Sequence, residues 1–278
     1  MSAKAAGLAL LCALGASGAL LGLTGCAASS GGIGGGIAGA SVTATDIVTA
    51  SDETEARKRA RIRTELAVNY FEQGQTTVAL DEIKQALAAD PTYADAFNLR
   101  ALIFMRLGDV RQTEESFRRA VALNPRDADI AHNFGWFLCE QRRFADAQRQ
   151  FEQALASPLY QGRAKTFMTL GLCQARAGQR AEAERSLARS YELDAGNPIT
   201  GFNLARLLFD RGEKVRPQFY IRRLNNSEFA NAELLWLGIK VERSLEDRTA
   251  MEQLGAQVGR RFPQSREFAS YQCGAFDE

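Results

Sequence analysis

From residue 59 to residue 264 the chain repeats itself about every 34 residues, and this period dictates a stack of similar small units, not one core shared by the whole chain. Gly74, Gly108, Gly178 and Gly212 recur where a turn would join two helices, and Arg142 and Leu245 stand there in the third and sixth units. Pro91 and Pro125 lie 34 residues apart, and Pro158, Pro198 and Pro263 continue the series. Small residues mark where two helices must come close. Ala67, Ala101, Gly135, Gly171, Ala205 and Gly238 share one position of the first helix. Ala79, Ala147, Ala183 and Ala250 share one of the second, with Thr113 and Pro217 as departures. Large apolar residues flank them at helical spacing, among them Leu66, Tyr70, Phe104, Phe117, Phe134, Phe151, Leu170, Leu187, Leu204 and Leu237.

Each unit therefore reads as an amphipathic helix pair that buries its apolar face only against its neighbours. The marks are those of the tetratricopeptide repeat, which implies an all-α superhelix of about six helix-turn-helix units. Units one to four carry the marks strongly and units five and six are degenerate. Residues 265–278 form a capping segment and tail, with a short helix over Ser265 to Cys273 to cover the last apolar face.

The residues before the array have a different character. Lys4 and the amino terminus give a short positive region, and Ala5 to Leu23 runs almost without charge. Leu23-Thr24-Gly25-Cys26 ends this run and resembles the bacterial lipobox. Residues 1–25 are then an export signal, and Cys26 becomes the lipidated first residue of the mature chain. Residues 26–58 hold the lipidated cysteine and a tether. The stretch AASSGGIGGGIAGASVTAT has no charge and too little apolar surface to fold by itself. Ala27 directly after the cysteine, where an Asp would favour inner-membrane retention in lipoproteins of enteric type, suggests the outer membrane.

Several kinds of chemistry have no foothold. The 34 basic and 33 acidic side chains leave a net charge of +1, so nothing pulls the chain toward nucleic acid. His132 is the single histidine, and no ligand spacing surrounds it; no metal site, cofactor or small-molecule substrate is expected. The Gly-rich stretch joins no strand to a helix, so it is no phosphate loop. No catalytic constellation is visible, and the expectation is a binding module and not an enzyme.

The third unit is the most specific stretch. It reads His132-Asn133-Phe134-Gly135-Trp136-Phe137-Leu138-Cys139, then Phe144-Ala145-Asp146-Ala147, then Ala156-Ser157-Pro158-Leu159-Tyr160. This run resembles the central repeat of the type IV pilus biogenesis and stability lipoproteins, the PilF/PilW pilotin family, and Leu170-Gly171-Leu172-Cys173 and Asn203-Leu204-Ala205-Arg206 are similar to it too. The resemblance covers most of residues 26–265. It implies an outer-membrane lipoprotein, facing the periplasm, that binds the type IV pilus secretin subunit and promotes its localisation and multimer assembly, and hence pilus formation and twitching motility. A tetratricopeptide lipoprotein serving as adaptor for another envelope or cell-wall complex is the alternative. Pro217 departs from the usual small helical residue and leaves the geometry of the last two units open.

Cys139 and Cys173 fall on the first helices of adjacent units. An exported chain meets an oxidising compartment, where a bridge would staple unit three to unit four. Relatives with a cysteine pair in these repeats favour that bridge over two buried thiols, leaving Cys273 single. The partner groove is expected on the concave side, lined by the first helices at positions two, five, nine and twelve of each unit. Positions five, nine and twelve hold Thr64, Val68 and Phe71, then Asn98, Leu102 and Met105, then His132, Trp136 and Cys139, with Met168, Leu172, Phe202 and Phe209 from the fourth and fifth units. For a solvated face this stripe is unusually apolar, which points to a partner segment seated on aromatic and Met anchors, with Asn98 as a handle for main-chain groups.

Overall fold

A computed structural model describes residues 52–276 and is all-α. Thirteen helices run through these residues. Six pairs come first: α1 (Glu55–Glu72) with α2 (Thr76–Ala89), α3 (Ala94–Leu107) with α4 (Val110–Leu123), α5 (Ala128–Glu140) with α6 (Phe144–Ala156), α7 (Arg163–Arg176) with α8 (Arg180–Leu193), α9 (Pro198–Asp210) with α10 (Val215–Asn225), and α11 (Ala232–Ser244) with α12 (Arg248–Arg261). A last helix, α13 (Arg266–Cys273), follows. None of the described helices is long and apolar enough to cross a membrane.

Local chemistry sets the ends of these helices. Side chains of Thr54, Asp109, Asp127, Asn197, Asn231, Asp247 and Ser265 accept a backbone N–H of the first helical turn. The turn inside each pair needs a left-handed residue, and Gly74, Gly108, Gly178 and Gly212 supply it at φ between 76° and 89°. Arg142 takes the same conformation in the third unit at φ 58°. In the sixth unit the left-handed residue is Glu246 at φ 62°, one place beyond the Leu245 expected from the repeat. Gly212 and Glu246 are 34 residues apart, so the sixth unit keeps the register of the fifth, and buried Ile239, not Gly238, stands at the small-residue position of its first helix.

The N-terminal boundary also differs from expectation. Residues 55–58, assigned to the tether, are the first turn of α1. Thr54 Oγ1 caps this turn by accepting the Arg57 N–H at 3.1 Å. Arg57 then reaches across to Asp90 at 2.7 Å, tying the first turn to the end of α2.

Each second helix packs on its own first helix and on the first helix of the next unit. First helices also touch one another from unit to unit, α1 to α3, α3 to α5 and onward to α11, whereas consecutive second helices do not. Elements that touch lie closer than elements that do not, so the stack curves with the first helices on the inner side. The small-residue positions set the spacing within a pair. A Cβ added at Gly135 would come within 2.9 Å of the Phe151 ring and 3.2 Å of the Ala147 carbonyl oxygen, so only glycine lets α5 and α6 approach this far. At the far end Tyr271 and Phe268 of α13 lie over Gly255 and Gly259 of α12, closing the last apolar face.

Candidate partner-binding groove

The inner face follows from helix geometry. Positions five and twelve of a first helix are seven residues apart, nearly two turns, so they share one stripe. Position nine lies about 40° round from position five, and position thirteen about 40° further. The structure turns the nine-and-thirteen side toward solvent and the five-and-twelve side toward neighbouring helices.

The expected groove residues divide accordingly. Val68 and Trp136, at position nine, are 37% and 41% exposed. Leu102 and Leu172, at the same position in the second and fourth units, are half-buried. Thr64 does not line a groove: it is buried, and its hydroxyl donates to the Ala60 carbonyl at 2.8 Å. His132 is likewise buried, at 3% exposure. Asn98 is half-buried, and its Oδ1 accepts the Asn133 amide at 3.2 Å, so that oxygen is already engaged. Phe71, Met105, Met168, Phe202 and Phe209 are part-buried and pack onto core clusters. The Phe71 ring is also covered by the Arg106 guanidinium, 3.7 Å from its centroid. The open surface is therefore a narrower row than expected: Val68, Leu102, Trp136 and Leu172, edged by Arg106, Glu140 and Arg176 at position thirteen. Glu140 and Arg176 form an ion pair across that edge. Nothing in the repeat pattern marks this charged edge, because a charged residue at position thirteen looks like any solvated helix residue.

The third-unit signature proves to be mostly joinery. Cys139 and Cys173 are joined as a disulfide, with Cα atoms 5.8 Å apart, tying α5 to α7. His132 Nδ1 sits 2.8 Å from Thr166 Oγ1, and that hydroxyl donates to Tyr160 Oη at 3.2 Å. Tyr160 of the Pro-Leu-Tyr stretch is thereby tied, through Thr166, to His132 on the neighbouring first helix. Phe134, Phe137 and Phe151 fill the space below. Of the aromatic residues in the run His132 to Cys139, Trp136 is the one that packing does not use.

Burial, and then the charge of Lys165, holds His132 at about 4 against an ordinary 6.5. The unfolded chain binds this proton near 6.5, but the folded chain refuses it until about 4. Its contribution is thus complete above 6.5 and is lost as pH falls through that window. At roughly 1.4 kcal/mol per pH unit the loss comes to about 3 kcal/mol. Urea unfolding at pH 7 and pH 4 should show a wild-type drop exceeding that of His132→Asn by this amount. Parallel pH curves for the two proteins would mean that His132 titrates normally.

Among the described residues no group of three or more His, Cys, Asp or Glu is arranged to hold a metal ion. What the inner face offers is a row of apolar side chains with charged borders, suited to a polypeptide segment.

Comparison with known proteins agrees with this architecture. A tetratricopeptide-repeat family model matches residues 64–131 and 135–198. The type IV pilus assembly protein PilF of Pseudomonas aeruginosa is 30% identical over 209 residues, covering 75% of this chain and 83% of that protein. The crystal structure of PilW, described as a widely conserved type IV pilus biogenesis factor, superposes with a TM-score of 0.69 at 32% identity, over 77% of this chain and 98% of that one. The P. aeruginosa PilF structure gives 0.73 at 28% identity, over 80% of this chain and all of that one. With this level of identity and superposition over most of both chains, the protein belongs to the PilF/PilW family of tetratricopeptide-repeat proteins of type IV pilus assembly.

Proposed function

We propose that this chain is a lipid-anchored pilotin: held at the periplasmic face of the outer membrane through Cys26, it grips a segment of the type IV pilus secretin subunit and promotes secretin localisation and multimer assembly. The export signal (1–25), Cys26 and the tether as far as residue 51 lie outside the described residues, and the anchor rests on the lipobox resemblance. A multiply acylated cysteine holds a protein stably at a bilayer, whereas one acyl chain holds it only marginally.

The observation that carries the binding reading is Trp136, an indole 41% exposed in a run, His132 to Cys139, whose other rings are buried. A large exposed aromatic flanked by Leu102 and Leu172 is the composition of a binding hot spot. Its charged edge fits a partner segment that lays an apolar stripe on the row and polar groups at its border.

The test is co-purification from envelopes. Trp136→Asp combined with Val68→Asp changes the two most exposed members of the row and leaves the core alone. Secretin capture should weaken at least tenfold and secretin multimers should diminish, with helicity and melting unchanged. Cys26→Ala should release the protein from the membrane fraction or leave it unprocessed. Undiminished capture by the double variant would show that the partner binds elsewhere.

A further inference from the structure

A cavity of about 410 Å³ opens at the junction of units five and six, bordered by α10, α11 and α12. Most of its lining comes from second helices, whereas the apolar row is built on first helices. Four carboxamides face it: Asn225, Asn226, Gln253 and Gln257. Asn225 stands out. It is 4% exposed, yet neither its Oδ1 nor its Nδ2 has a hydrogen-bond partner. A Cβ added at Gly238 would fall 2.1 Å from Nδ2, so the glycine makes the space in which this amide lies.

The position is unusual within the array. At the repeat's spacing, units one to four place Leu87, Val121, Leu155 and Tyr191 there, and each packs into an apolar cluster. A buried carboxamide without partners costs stability that an apolar residue avoids. Its neighbours do not relieve it, since Arg222 is taken by Glu242 at 2.6 Å and by Asp247 at 3.0 Å.

We propose that this cavity is a second peptide site, which takes an uncharged extended segment through its main-chain groups. A carboxamide presents one acceptor beside one donor group, the complement of a main-chain N–H and C=O. The lining has no aromatic side chain on which a sugar ring or a base could stack. Two carboxylates against one guanidinium disfavour phosphate and other anions. Leu254 and Ala250 supply apolar surface for a short side chain. The volume lies within the range of ordinary ligand sites.

The experiment uses the full chain, labelled with ¹⁵N, and follows the Asn225 side-chain amide by NMR. The probe is a capped tetra-alanine peptide, with N-acetylglucosamine and inorganic phosphate as competitors of other chemistry. A saturable shift with the peptide alone is expected. Affinity should fall at least tenfold in Asn225→Leu, which should melt no lower than the wild type. It should fall severalfold in Gln253→Ala, an exposed position whose loss cannot be ascribed to unfolding. Trp136→Asp should leave the shift intact, which separates this site from the groove. The proposal is overturned by an amide that the peptide does not move, by a shift produced by the sugar or phosphate instead, or by equal peptide affinity in Asn225→Leu.

Discussion

Replacing Cys139 and Cys173 together with serine is expected to lower the free energy of unfolding by about 4 kcal/mol. The bridge spans a sequence separation of 34 residues, and the chain-entropy account gives roughly this value for a loop of that length. The location adds a second effect. In a stacked array, stability is a sum of units and nearest-neighbour interfaces, so weakening one interface also weakens cooperativity. Urea unfolding of the serine pair should therefore show a lower midpoint and a shallower slope. Reductant should reproduce this in the wild type and leave the variant unchanged. Cys273→Ser, at an exposed free cysteine, is the control and should behave as wild type. An identical midpoint with and without reductant would remove the bridge from the stability account.

Arg222→Ala is expected to destabilise the fifth and sixth units by about 3–5 kcal/mol, because it strands a buried carboxylate. The Glu242 side chain is 1% exposed and receives the Arg222 Nε at 2.6 Å. Gln218 Nε2 donates to it at 2.7 Å and would remain, which places the effect toward the lower end. Removing both charges tells a different story. Arg222→Met with Glu242→Leu fills the space without a buried ion and should recover most of the loss. Chemical denaturation of the single and double variants measures this directly. A single variant as stable as the wild type would mean that water reaches Glu242 and screens it.

What the sequence revealed, and what it concealed, follows from how each feature is encoded. Helix pairs were legible because a left-handed turn demands glycine and a close crossing demands a small residue, and both demands recur with the period. Where the chain meets the same demand without glycine, as at Glu246, the letter carries no mark and the register was misplaced by one. The groove was legible as a side of the first helix but not as a row. A turn of about 40° separates Trp136, which is open, from His132, which is buried, and spacing along the chain does not say which stripe the next helix covers. Asn225 and Glu242 were unreadable for the same reason: they look like surface residues until the neighbouring unit closes over them. His132, Tyr160 and the cysteine pair drew notice as a signature, yet their contacts become visible only when adjacent units are set side by side.

The bridge has a mechanical consequence. In a curved stack whose first helices touch and whose second helices do not, bending opens or closes gaps on the outer side while the inner side acts as the hinge line. A covalent tie between α5 and α7 lies on that inner line and makes it inextensible at one joint. Units three and four then pivot about a fixed point and cannot slide past one another. Trp136 and Leu172, carried on the two tied helices, hold their separation while the ends of the array flex around them.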